Sequence, residues 1–144
     1  MKGIKVTTNP DDLNIELVHS LVSNSYWAKG IPLLTLQKSI ANSLVFGAYN
    51  ESGEQVAFAR VVTDKATFAY LADVFVIESY RGLGVSKLLM EEICSHSDLQ
   101  GLRRFMLATS DAHGLYSQFG FQSIENPDIL MQIWQPGVYE QTRV

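Results

Sequence analysis

A chain of 144 residues with 47% hydrophobic and 18% charged content carries enough apolar material for one compact domain, and residues 1–144 read as such. Its net charge of −4, with basic residues scattered, argues against a nucleic-acid surface, and no apolar run is long enough for a membrane span. The single cysteine, Cys94, excludes an internal disulfide, and with no long apolar leader the expected location is the cytoplasm.

The elements follow in chain order. Ile4 to Thr7 reads as a short strand. Asn9 is a candidate N-cap, with Pro10 at the first helical position and Asp11 and Asp12 in the first turn, opening a helix to about Asn24 through Leu13, Leu17 and Leu21. Tyr26 to Gly30 is an aromatic loop, and Pro32 opens a second helix ending near Asn42. Three strands follow over Leu44–Tyr49, Gln55–Thr63 and Ala66–Ile77, with turns at Asn50–Glu54 and Asp64–Lys65. A helix spans Gly84 to Ser95, with Cys94 a small buried or boundary side chain near its end. An apolar strand then covers Phe105–Thr109, so this path is a βαβ crossover with parallel strands. A short helix starts after Ser110 with Asp111 as N-cap and ends at Gly120. Phe121–Ile124 and Leu130–Ile133 read as two closing strands around Asn126–Asp128. The order β-α-α-β-β-β-α-β-α-β-β is an α+β domain.

The junction between the third long strand and its helix carries the clearest chemistry. The β-forming run Val74 to Ile77 gives way to Arg81-Gly82-Leu83-Gly84 and then to apolar residues at helical spacing, Val85, Leu88, Leu89 and Ile93. Such a strand–turn–helix points unpaired helix N–H groups at an anion, and glycines let phosphate oxygens approach. A P-loop is excluded because Gly84-Val85-Ser86-Lys87 lacks the Gly-Lys-Ser/Thr ending. A dinucleotide fingerprint is excluded because Lys87 replaces the third glycine, and Leu102-Arg103-Arg104 stands where an acid is needed.

Arg81-x-x-Gly84-x-Ser86 resembles the acyl-CoA pyrophosphate loop of the GNAT superfamily of N-acyltransferases, with Ser86 in place of the usual Gly or Ala. Asp111-Ala-His-Gly-Leu-Tyr-Ser-Gln-Phe-Gly-Phe121 resembles the second half of that family's cofactor site. Tyr26-Trp27-Ala28 and Leu71 to Val76 are similar to segments of a group of small bacterial GNAT proteins. The resemblance spans nearly the whole chain. It implies a GNAT-like fold with a mixed central sheet of about six to seven strands and about four helices, acetyl-CoA as co-substrate, and transfer of the acetyl group to a primary amine of a small molecule by direct attack.

The same resemblance assigns roles. Backbone groups of Val74, Phe75 and Val76 would hold the pantetheine arm, and Gly82, Leu83, Gly84, Val85, Ser86 and Lys87 would take the pyrophosphate with charge from Arg81. Tyr116 matches the general acid, protonated at neutral pH. Its other reading is an aromatic packing the helix onto the sheet. Asp73, acidic within an apolar strand, is a candidate base, or else a structural carboxylate bonded to Arg60, Tyr70 or a backbone N–H. Tyr26, Trp27 and His113 are candidates for lining the acceptor site. His19, His96 and His113 lie far apart, without zinc-site spacing, so no metal is expected. The alternative function is a non-catalytic acyl-CoA-binding sensor, and the resemblance is compatible with a homodimer.

Overall fold

The computed structural model describes residues 3–141. Its strands are β1 (Lys5–Thr7), β2 (Leu44–Tyr49), β3 (Gln55–Thr63), β4 (Phe68–Val76) and β5 (Arg104–Leu107). Its helices are α1 (Ile15–Ser23), α2 (Leu33–Ala41), α3 (Val85–Ser95), α4 (His113–Ser117) and α5 (Val138–Gln141). The strands form one mixed sheet in the order β1-β2-β3-β4-β5. The first four are antiparallel neighbours, and β4 and β5 are parallel, connected through α3 as the crossover requires.

The sheet is covered on both faces. Val85, Leu89, Met90 and Ile93 of α3 pack with Phe46, Ala48, Ala57, Ala59 and Val61 on one side. Val18 and Val22 of α1, with Leu36 and Ile40 of α2, pack with Val45 and Phe58 on the other. Alternating residues of β2 and β3 thus serve two cores, as the two-residue period of a strand demands.

Four expectations are corrected. Among the described residues the sheet has five strands, not six or seven, because Phe121–Ile124 and Leu130–Ile133 form no ladder. Phe121 does meet the Phe105 ring of β5 edge-on at 5.2 Å, but no backbone pairing joins either segment to the sheet, and β-propensity without a paired edge does not make a strand. Among the described residues the α-helices number five against the about four expected, since α5 follows the unpaired segment.

The first helix begins later than expected. Asn9 caps only a single 3₁₀ turn, Pro10–Asp12, accepting from the Asp11 N–H at 3.0 Å. Leu13 then turns extended, and Asn14 caps α1 by accepting from the Leu17 N–H at 3.1 Å. Asp111 does not cap α4. Ala112 holds that position, its N–H donates to Thr109 Oγ1 at 3.0 Å, and among the described residues no hydrogen bond or ion pair engages the Asp111 carboxylate.

Candidate active site

The glycine turn forms as its sequence demands. Gly82 and Gly84 have φ of +77° and +85°, and Gly84 sits at the N-cap of α3. A side chain at either glycine would be strained by that backbone. The space beside each is open to at least 4 Å. The first backbone bond of the helix runs from the Leu88 N–H to the Gly84 carbonyl, so the N–H groups of Val85, Ser86 and Lys87 face outward without helical partners. Arg81 donates from Nε to the Val76 carbonyl at 3.0 Å, tying the turn to the end of β4. The turn therefore has the shape and donors of a pyrophosphate cradle.

Below the turn the sheet opens. β4 and β5 pair from Phe68↔Arg104 to Leu71↔Leu107 and no further, so the β5-facing edge of Ala72–Val76 carries no ladder. On its other edge β4 stays paired, with Phe75 opposite Phe58 and Val76 opposite Ala57. Between Ala72 and Phe75 it carries one residue more than β3, which is a bulge. Before the bulge Ala69 and Leu71 face α3; after it Val74 and Val76 do, so the bulge reverses which residues face which core.

Asp73 sits in that bulge at φ +55°, a conformation Asp tolerates better than most residues. It is 7% exposed, and both carboxylate oxygens are engaged. Trp27 Nε1 donates to Oδ1 at 2.7 Å, and Arg60 Nε donates to Oδ2 at 2.8 Å. Arg60 also donates from Nη1 to Ser43 Oγ at 3.2 Å. The aromatic loop is thus fixed at its tip. Its base is fixed too, by the Gly30 N–H on the Ser23 carbonyl at 2.9 Å and by His19 Nε2, 2.9 Å from the Ile31 carbonyl oxygen. Tyr26 meets the Trp27 ring edge-on at 5.0 Å and its hydroxyl lies 3.4 Å from Ser110 Oγ.

A pocket of about 720 Å³ lies among these residues, lined by Tyr26, Trp27, Arg60, Asp73, Asp111 and Tyr116. Tyr116 is 9% exposed, yet its hydroxyl makes no hydrogen bond within the described residues. Burial, then the nearby Asp111 carboxylate and Tyr26, push its pKa above the usual tyrosine value, so the phenol stays protonated. His113, expected in the acceptor site, lines a separate groove on the far side of Tyr116 together with half-buried Cys94. The sequence reading missed Asp111, Trp134 and Tyr139 as pocket residues. Asp111 had a signal in its place five residues before Tyr116, whereas the two aromatics come from a chain end that nothing local directs to this site. Among the described residues no cluster of His, Cys, Asp or Glu could hold a metal ion, and no helix is long and apolar enough to cross a membrane.

Residues 41–123, more than half of the chain and including the turn, the bulge and Tyr116, match the model of the acetyltransferase (GNAT) domain. The chain belongs to the GNAT family. A crystal structure of a protein from Xanthomonas campestris pv. campestris, assigned to the GNAT family as an acetyltransferase, is 52% identical with a TM-score of 0.93. The alignment covers 96% of this chain and 98% of that one. A Gibberella zeae protein assigned as an acetyltransferase is 29% identical over 135 residues, covering 78% of this chain and 75% of its own length. Glucosamine-6-phosphate N-acetyltransferase from Arabidopsis thaliana, at 18% identity and a TM-score of 0.65 over 92% of this chain and 97% of its own, shares the fold alone. In this GNAT acetyltransferase the glycine turn follows on the β4 segment whose β5-facing edge is unpaired.

Two substitutions probe this construction. Asp73→Ala leaves the half-buried Arg60 guanidinium and the Trp27 indole without their acceptor. Thermal unfolding should show a loss of about 3 kcal/mol, or roughly 10 °C in Tm. A Tm within 2 °C of the wild type would contradict the structural role. Gly84→Ala, at φ +85° and pointing into the open cradle, should weaken coenzyme A binding by about tenfold or more in calorimetric titration.

Proposed function

We propose that this GNAT protein transfers the acetyl group of acetyl-CoA to a primary amine of a small molecule, in the cytoplasm, by direct attack in a ternary complex. The observation that carries the reading is the unpaired hydroxyl of Tyr116, buried and protonated, in the wall of a pocket that adjoins the opened β4–β5 edge. The residues present fit coenzyme A. The α3 N–H groups of Val85, Ser86 and Lys87, with Gly82, Leu83 and Gly84 keeping the approach clear and Arg81 adding charge, would take the pyrophosphate. The free β4 backbone of Val74, Phe75 and Val76 would take the pantetheine amides.

When bound, the co-substrate supplies an activated thioester; the chain supplies position and protons. Transfer forms a bond from the amine nitrogen to the acetyl carbon and breaks the carbon–sulfur bond. Tyr116 donates its proton to the departing sulfur. Asp73, with both oxygens occupied by Trp27 and Arg60, acts as a positioning carboxylate that sets the bulge and the aromatic roof. Asp111, lining the same pocket with no capping bond, is the carboxylate available to draw in a cationic amine and, through water, take its proton. Tyr26 and Trp27 supply aromatic faces for the alkyl or cationic part of that amine.

Tyr116→Phe should lower kcat by about 100- to 10,000-fold while changing coenzyme A affinity less than threefold. Unchanged turnover would return Tyr116 to packing. Because the Tyr116 pKa is raised, its acid form persists beyond pH 10. The wild-type kcat should therefore show no loss of an essential acid below that pH. A basic limb below pH 9 that vanishes in Tyr116→Phe would refute the assignment. Thiol release from acetyl-CoA across a panel of polyamines, amino acids and aminoglycosides tests the reaction itself, with turnover expected on at least one amine. Tight acetyl-CoA binding without turnover on any would favour the acyl-CoA sensor instead.

A further inference from the structure

The pocket beneath the aromatic loop has a charge and a lining that narrow its acceptor to one class. Its wall carries one cation, Arg60, and two carboxylates, Asp73 and Asp111. Arg60 and Asp73 neutralise each other at 2.8 Å, which leaves the charge of Asp111 uncompensated. An acceptor bearing a phosphate or carboxylate would meet a net negative wall, with no free cation among its described residues. The pocket therefore selects for positive charge.

Five aromatic rings line the same hollow, those of Tyr26, Trp27, Tyr70, Trp134 and Tyr139. Tyr26 and Trp27 stand at 89° with centroids 5.0 Å apart, as two adjoining walls of a box do. Tyr26 and Trp134 are 74% and 70% exposed, so their rings are not consumed by the apolar core. Aromatics placed for packing alone would be buried, whereas these surround an opening. Rings set around a hollow in this way attract a protonated or alkylated nitrogen through its charge.

The two attractions differ in what they do with a proton. A carboxylate can accept one from an ammonium, directly or through water. A ring face cannot, so a nitrogen held there keeps its charge. An amine must be neutral to attack a thioester, and a substrate with a single nitrogen would be held best in the form that cannot react. Two nitrogens remove the conflict.

We infer that the acceptor is a dicationic alkylamine, in which one terminal nitrogen takes the acetyl group while the other stays positively charged against the rings of Tyr26, Trp27 and Trp134. The inference rests on the acetyl-transfer reading and names the substrate class of that same site. The reacting ammonium gives one proton to Asp111 through water before it attacks. A second proton leaves the nitrogen as the amide forms, and it replaces the one that Tyr116 gives to sulfur. The retained cation enters no bond.

Thiol release from acetyl-CoA with putrescine, butylamine and γ-aminobutyrate tests the class, since the three share a four-carbon chain and differ at its far end. Putrescine should exceed butylamine in kcat/KM by about tenfold or more, and γ-aminobutyrate should fall below butylamine. Trp134→Leu and Tyr26→Leu remove largely exposed rings. Each should cut the putrescine-to-butylamine ratio by about fivefold or more, mainly through KM. Choline, a cation with no nitrogen to acylate, should compete with putrescine, and its uncharged isostere dimethylbutanol should compete about tenfold more weakly. Butylamine or γ-aminobutyrate turned over as well as putrescine would overturn the dicationic class and leave acetyl transfer standing. So would a ratio unmoved by both ring substitutions, or choline no better than its isostere. Acetyl-CoA binding without thiol release on any amine would refute acetyl transfer, and this inference with it.

Discussion

The carboxylate of Asp73 is the point on which the pocket between the aromatic loop and β4 depends. It joins a bulge in β4, a guanidinium on β3 and the tip of the loop between α1 and α2. None of these three is held in that place by apolar packing alone. Trp27 is half exposed, Arg60 must be neutralised to sit against the sheet, and a left-handed residue in a strand needs compensation from its surroundings. One side chain with two acceptor oxygens satisfies all three. The acidic residue in an apolar strand is thus a keystone before it is a reagent.

The bulge also explains how one strand serves two purposes. Up to Leu71, β4 is an ordinary buried strand with neighbours on both edges. Beyond it, the same strand keeps its β3 partner while presenting a free backbone edge toward β5, and the reversal in facing keeps Val74 and Val76 in the α3 core. The opening therefore removes no apolar contacts from that core. Arg81, bonded to the Val76 carbonyl, then fixes the glycine turn relative to the opened edge. The unpaired β5-facing edge and the outward N–H groups of α3 thus follow one another along a single stretch from Ala72 to Lys87.

Much of this was legible in the residues because the signals were local. The strand–glycine–helix junction, the hairpins and the Tyr116 helix each declare themselves within a dozen positions, where periodicity and turn chemistry act. The alternation at Phe121–Ile124 and Leu130–Ile133 was equally visible, yet no ladder forms, since a strand requires an edge and the sequence does not say whose. Asn14 took the cap expected of Asn9 because Leu13 leaves the helical region between them. Asp73 was singled out correctly as an anomaly, but its partner Trp27 lies 46 residues away, and such a pairing has no periodic trace. His113, one helical turn before Tyr116, shares the groove beside β5 with it rather than the pocket under Trp27, because the Tyr116 ring separates the two hollows and lines both.

The chain has two tryptophans, and Trp27 and Trp134 both line the same pocket. One indole is hydrogen-bonded to a carboxylate and half shielded, and the other is largely open to water. When tryptophan is excited selectively over the six tyrosines, the emission therefore originates at this pocket. The colour and quenching of that tryptophan emission report on what enters there, without any label and with no second indole elsewhere in the fold.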